Sequence, residues 1–201
     1  MKNKLNKMFL NCLLFNDFET LDLFGPVEVF GKVDNCSIKY LSINGGSITS
    51  RDNVQIITES IDRVEKYDVL LIPGGIGTRK MVNDEEFIDT LKNMAEKSSW
   101  CLTVCTGSAL LAKTGMLDDH EATSNKIAFE WVKSIGKNVK WKNKARWVID
   151  GKYYTSSGVS AGIDMSLGFV CDHFGEEIAR EIAKRIEHEW NDNKDNDIFG
   201  I

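Results

Sequence analysis

Thr103-Val104-Cys105-Thr106-Gly107-Ser108 sets a cysteine between a short apolar run and a helix-compatible segment. A side chain at such a junction sits on a tight, strained turn above the end of a sheet, and the free N–H groups of the helix start point towards it. Those donors and the positive helix end favour a thiolate, which makes Cys105 the candidate nucleophile. Gly107 allows the new helix to pack closely against the strand. The usual elbow also has a glycine two residues before the nucleophile, and here that position is Thr103. The competing reading is a small cysteine buried in the core. A second segment, Pro73-Gly74-Gly75, closes a different apolar run. In an open α/β sheet, sites form at the carboxyl ends of the strands where strand order reverses. Gly74 and Gly75 let backbone approach a ligand and present N–H groups to a developing negative charge, although an ordinary turn reads the same.

Bringing Cys105 and the Gly74-Gly75 loop to one edge requires parallel strands separated by helices. Short apolar runs do alternate with longer periodic segments. Residues 8–15, 37–43, 67–72 and 100–104 read as strands, with 54–58 as a small added strand. The continuous apolar character of 67–72 predicts burial on both faces. Residues 21–30 have helical spacing, with Pro26 early enough to be tolerated. Asn44-Gly45-Gly46 signals a turn, and Asn83 or Asp84 caps the helix carrying Phe87, Ile88, Leu91, Met94 and Ala95. Further helices are expected at 106–113, stopped at Gly115, and at 127–135, ending near Gly136. Residues 145–149 and 153–156 flank Asp150-Gly151 and form a hairpin. Two last helices, 160–174 and 176–190, split at Gly175. The fold class is therefore α/β, a single domain over 1–190 with a mostly parallel sheet flanked by helices and Cys105 on an elbow. Residues 191–201 form a loose polar tail, with Ile198 and Phe199 available to dock it.

Composition narrows the function. A chain of 201 residues with 42% hydrophobic and 27% charged residues can bury a core. Its net charge of −5 argues against a nucleic-acid partner, which needs a basic face. Lys137, Lys140, Lys142, Lys144 and Arg146 read as a solvated face instead. No run reaches the roughly 18 apolar residues of a membrane span. Residues 1–7 are basic and 8–15 apolar, which imitates a secretory signal. Asn11 and the polar stretch from Asn16 favour a buried first strand. Five irregularly spaced cysteines predict no disulfide framework, hence a reducing, cytoplasmic setting. Cys101 lacks the partners of a zinc site, and Cys12 and Cys171 read as core. Trp131, Trp141 and Trp147 could line a groove but read more readily as packing residues. No metal or cofactor is expected.

The motifs together carry a resemblance. Leu13-Leu14-Phe15, Leu21-Asp22-Leu23-Phe24-Gly25-Pro26-Val27-Glu28-Val29, Leu71-Ile72-Pro73-Gly74-Gly75, Val104-Cys105-Thr106-Gly107-Ser108 and Ser157-Gly158-Val159-Ser160-Ala161-Gly162-Ile163-Asp164 stand in the order of the ThiJ/PfpI superfamily. They span residues 8–189, and they most resemble its isocyanide hydratase branch. The resemblance implies a flavodoxin-like, class I glutamine amidotransferase-like fold and a homodimer. It makes Cys105 the nucleophile and Asp22 the acid that hydrogen-bonds its sulfur. Gly75 and Thr106 would offer N–H groups near the reacting atom, and Val159 would wall the pocket. A carboxyl beside a thiolate requires that one of the two hold a proton. The plainer reading of Asp22 is a helix-start carboxylate interacting with the helix dipole, which is compatible with that role.

Two departures shape the implied chemistry. Many relatives carry histidine where this chain has Asn125, which can hydrogen-bond a substrate but relays no protons. Protease-like members have histidine where Thr106 stands, so peptide hydrolysis is not expected. None of His120, His173 and His188 matches a family position. The leading expectation is hydration of a small organic isocyanide to an N-substituted formamide through a Cys105 thioimidate. The alternatives are a glyoxalase-like enzyme on small aldehydes and a non-catalytic redox or stress sensor using Cys105. A ligand-sensing domain fused to DNA-binding helices is a related reading, although 201 residues leave no room for such a module.

Overall fold

The computed structural model describes residues 7–200. Residues 1–6, most of the basic lead weighed above as a signal, and Ile201 lie outside the described residues. Strand β1 (Met8–Leu13) is apolar on both faces, and a loop carries it into helix α1 (Thr20–Phe30). Then come β2 (Cys36–Ser42), β3 (Asn44–Thr49), β4 (Gln55–Ser60) and a short 3-10 turn (Ile61–Arg63). Strand β5 (Val69–Ile72) is fully buried, as its unbroken hydrophobicity requires, and leads to α2 (Thr78–Met81) and α3 (Glu85–Lys97). The Asp84 carboxylate caps α3 by accepting the Phe87 N–H at 3.0 Å. Next are β6 (Trp100–Thr103), α4 (Gly107–Lys113), β7 (Glu121–Ala122), α5 (Phe129–Ile135) and β8 (Lys140–Trp141). The chain ends with β9 (Trp147–Asp150), β10 (Tyr153–Ser156), α6 (Ala161–Phe174) and α7 (Glu176–Arg185).

Among the described residues eight strands form one sheet in the order β3-β4-β2-β1-β5-β6-β10-β9, while β7 and β8 pair separately. Pairings from β4 to β10 are parallel, and each outer strand, β3 and β9, is added antiparallel. The chain moves from β1 to β2 on one side and returns to β5 on the other. Strand order therefore reverses between β1 and β5, and a crevice opens above their carboxyl ends. The main core fills both sides of the central strands, and a second cluster (Val29, Leu167, Val170, Ala179, Ile182) joins α1, α6 and α7. Among the described residues no helix is long and apolar enough to cross a membrane.

Several expectations change in detail. Asn44-Gly45-Gly46 is not a turn. The chain bends at Ile43, and Gly45 and Gly46, both at positive φ, open β3 against β4. Pro26 lies inside α1, where it removes the N–H that would reach the Asp22 carbonyl. Helix α7 stops at Arg185 instead of running to 190. Glu187 takes a left-handed φ of 51°, and the His188 N–H reaches back to the Ala183 carbonyl at 2.9 Å. The tail is not loose. Lys194 O accepts N–H groups of Arg146 and Trp147 at 2.8 and 3.2 Å, and the Asp197 N–H donates to Lys144 O at 2.6 Å. Backbone hydrogen bonds dock it, not Ile198 and Phe199, which remain 79% and 67% exposed.

Candidate active site

Cys105 follows β6 with a φ of 55°, a conformation that costs a side-chain-bearing residue about 1–3 kcal/mol unless its surroundings impose it. The surroundings do so. Its N–H donates to Ser157 O at 3.0 Å. Its carbonyl accepts the hydroxyls of Ser108 at 3.1 Å and Ser124 at 2.8 Å. The elbow expected from spacing is therefore present, pinned from β10's loop, α4 and the segment after β7. Thr103 substitutes for the usual glycine without opening the turn, its hydroxyl buried and without a hydrogen-bond partner.

Asp22, in the first turn of α1, is fully buried beside the Cys105 thiol. Its Oδ2 accepts the Gly74 N–H at 2.9 Å, while Oδ1 has no full hydrogen bond. Gly74 permits this approach, because a Cβ there would lie 2.5 Å from Thr106 N and 2.9 Å from Asp22 Oδ2. Burial pushes the Asp22 carboxyl up to about 8, against the pull of the Gly74 N–H and, more weakly, of the thiol. Burial also pushes the Cys105 thiol up to about 12, with the Asp22 charge adding to it. The N–H groups of Thr106 and Val159 and the Thr106 hydroxyl pull the other way. The thiolate expected from the helix start alone is thus opposed by desolvation, and a proton on Asp22 withdraws the carboxylate's share of that opposition.

The predicted donors divide. The N–H groups of Thr106 and Val159 face the sulfur, and Val159 does so at a positive φ of 31°. The Gly75 N–H is already committed to Thr106 Oγ1 at 3.0 Å, and that of Gly74 to Asp22. As the structure stands, the glycine loop holds the Asp22 and Thr106 side chains and offers no vacant oxyanion donor, because the buried hydroxyl and carboxylate beside it claim both N–H groups. Asn125 is also committed: its Oδ1 accepts the Ala128 N–H at 3.0 Å, and its amide packs on Gly158. It lines a cavity with Val159, Arg146 and Phe199, and no hydrogen bond joins it to Cys105 or Asp22.

Other side chains near the site gave no sequence signal. Thr78 Oγ1 bonds Gly75 O at 2.7 Å and Thr106 Oγ1 at 3.2 Å. Arg79 stacks its guanidinium 3.7 Å from the centre of the Trp131 ring. Lys126 donates to Thr123 Oγ1 and Ala145 O at 2.7 and 2.8 Å, and burial lowers its pKa to about 8. Each lies beside a recognisable motif, but nothing in residue type or spacing marks it.

The histidines stand elsewhere. His120 pairs with Asp150 at 3.2 Å, His173 packs between Trp100 and Phe169, and His188 meets Asp164 at 2.8 Å. Lys137, Lys140, Lys142 and Lys144 are exposed as expected. Arg146 is the exception, since it pairs with the buried Asp164 at 2.5 Å. Among the described residues no group of three or more His, Cys, Asp or Glu is placed to hold a metal ion.

A parallel α/β sheet with a buried carboxyl–thiol pair at its reversal point defines a cysteine-elbow protein of the flavodoxin-like class. The chain belongs to the DJ-1/PfpI family, which matches residues 10–171. It is 28% identical over 177 residues to an isonitrile hydratase of Pseudomonas putida, covering 88% of this chain and 76% of that one. It is 25% identical over 191 residues to the HTH-type transcriptional regulator GbdR of Pseudomonas aeruginosa, covering 92% of this chain but 52% of the regulator. A crystal structure of a ThiJ/PfpI family protein from Pseudomonas syringae superposes with a TM-score of 0.83 at 25% identity, covering 93% of this chain and 78% of that one.

Proposed function

We propose that this protein is a cysteine-dependent hydratase that converts small isocyanides to N-substituted formamides. The observation that carries the reading is the buried Cys105–Asp22 pair with the N–H groups of Thr106 and Val159 at the sulfur. The working state holds one proton between the two acids. With the thiol proton passed to Asp22, the sulfur attacks the terminal carbon of R–N≡C and forms the S–C bond. Asp22 returns the proton to that carbon, giving the thioimidate R–N=CH–S. The Asp22 carboxylate then takes a proton from water as the water oxygen adds to the same carbon, and passes that proton to the nitrogen. Collapse breaks the C–S bond as the remaining O–H proton returns to the Cys105–Asp22 pair, which is restored with one proton, and R–NH–CHO is released. Exclusion of bulk water strengthens each electrostatic contact in this sequence. Similarity to the isonitrile hydratase supports this choice over the aldehyde chemistry that the same nucleophile permits. Five unpaired cysteines support a reducing, cytoplasmic setting, and the family resemblance supports a homodimer.

The test is turnover of an aryl isocyanide, followed as formamide, by wild type and Cys105→Ala, with methylglyoxal assayed in parallel. The variant is expected to lose roughly a thousandfold or more of the rate, as removal of a nucleophile does. Pure, folded wild type that leaves isocyanide untouched overturns the substrate, and methylglyoxal consumption by it would transfer the reading to aldehydes.

A further inference from the structure

The hydration chemistry makes no use of a cation, yet one stands close enough to Cys105 to interact with its charge. Arg79, in the first turn of α2, is half-buried, and Cys105 lies near enough for its charge to act on the guanidinium. A guanidinium has five N–H donors. Among the described residues the one hydrogen-bond acceptor that Arg79 meets is its neighbour's hydroxyl, Thr78 Oγ1, at 3.2 Å. Among the described residues no carboxylate lies within ion-pair distance of it, whereas Arg51, Arg146 and Arg180 each meet one. Withdrawing a cation from water without a counter-charge is costly, and burial does depress the Arg79 pKa.

The arginine is also held in place. Its plane lies on the Trp131 indole, which fixes the fork at low entropy cost. Through Thr78 it joins a hydrogen-bonded chain to Thr106 Oγ1, and from there to the Gly75 N–H. The same Thr106 places its own N–H at the sulfur. A fixed, unpaired guanidinium connected in this way to the reacting centre has the geometry of a substrate clamp.

We infer that Arg79 is a substrate-recognition residue and that the substrate's R group carries a carboxylate, gripped by the guanidinium while the reacting carbon meets Cys105. This inference rests on the proposed role of Cys105 as nucleophile and deepens it by naming the substrate class, a small carboxylate-bearing electrophile. Trp131 holds the clamp and would flank the aliphatic part of R.

Two alkylating probes test the clamp independently of turnover. The Cys105 thiolate attacks the CH2 carbon of iodoacetate or iodoacetamide and expels iodide from either, but the two reagents differ in charge. Labelling of Cys105 is followed by peptide mass spectrometry, which separates it from the other four cysteines. Arg79→Met is expected to lower the ratio of the iodoacetate to the iodoacetamide rate constant by about tenfold, the effect of losing one charge-assisted contact. Arg79→Lys should fall between, since the charge remains but the fork is lost. In wild type, with no variant needed, propionate should slow iodoacetamide labelling at concentrations where propionamide does not. An unchanged ratio in a folded Arg79→Met protein, or equal protection by the two ligands, overturns the inference. So does a Cys105 inert to both reagents.

Steady-state rates on isocyanoacetate and its methyl ester separate this inference from the hydratase reading. Turnover that favours the anion supports both. Turnover with no preference for the anion, and none lost in Arg79→Met, leaves the hydratase standing and removes the clamp. No turnover, but a charge-selective Cys105, keeps the clamp and removes the isocyanide.

Discussion

Asp22 and Cys105 share one desolvated pocket, and the cost of charging either is set by where the other's proton sits. The Asp22 carboxyl holds its proton up to about pH 8 in the folded chain, whereas a solvated aspartate releases it near 3.9. Two consequences with opposite signs follow. For stability, the folded state binds the extra proton between these values, so the contribution is complete below about pH 4 and lost as pH rises through about 8. At full size this amounts to about 6 kcal/mol. Asp22→Asn, which retains the acceptor for Gly74, is expected to flatten the melting temperature between pH 5 and 9 and to melt above wild type at pH 9. For catalysis, the one-proton state appears only as the first proton leaves, so kcat/KM should rise with pH through about 8. Asp22→Asn should remove that limb and lower kcat/KM by roughly a hundredfold or more. A rate profile that stays level across pH 8 in wild type would contradict the shared-proton mechanism. Cys105 is visible in the sequence because a strand–helix junction constrains one position. Asp22, some eighty residues earlier, is visible only through a resemblance, and Arg79 through neither. An arginine's lack of a counter-charge is a property of the folded neighbourhood, which no spacing encodes.

At the scale of the elements, the start of α6 does more than close the Val159 loop. Asp164, 1% exposed in its first turn, accepts Arg146 Nε at 2.6 Å through Oδ2, and His188 and the Asn191 N–H through Oδ1. The indole of Trp190 donates to its carbonyl at 3.1 Å. One buried carboxylate thereby ties the approach to β9, the first turn of α6 and the chain after α7. Arg146→Met removes the one permanent counter-charge and leaves the carboxylate buried, a change expected to cost about 3 kcal/mol. Urea unfolding reads the loss, and faster amide exchange over residues 188–197 should accompany it. A variant within 0.5 kcal/mol of wild type, roughly the effect of an ordinary surface change, would show that the remaining donors suffice. The strands and most helices could be read from periodicity because burial on one or both faces imposes it locally. The end of α7 could not. Ile186 continues the apolar stripe, but Glu187 turns left-handed and His188 and Trp190 are drawn to Asp164, a partner more than twenty residues away.

For the whole molecule, the two ends of the sheet meet different fates. At one end, β3 folds back antiparallel along β4 and leaves an outer edge of its own. At the other, β9 is outermost, and the last described residues lie alongside the segment leading into it. Lys194 accepts two N–H groups there, Asp197 donates to Lys144, and Asp197 itself is 3% exposed. Composition alone made this tail loose, since its residues are polar and its two apolar side chains do not bury. Its order comes from backbone groups of residues 144–147 that otherwise have only water to meet. Ending the chain at Trp190 removes three such hydrogen bonds, worth about 1 kcal/mol each, which should lower the melting temperature by roughly 6–12 °C. It also uncovers unpaired N–H groups beside an edge strand, the usual template for association. Light scattering at increasing concentration should therefore show the shortened chain aggregating where the full chain does not. Charge reversal on the tail, for example Lys194→Glu, should leave both properties unchanged, because it is the Lys194 carbonyl and not its side chain that holds the edge.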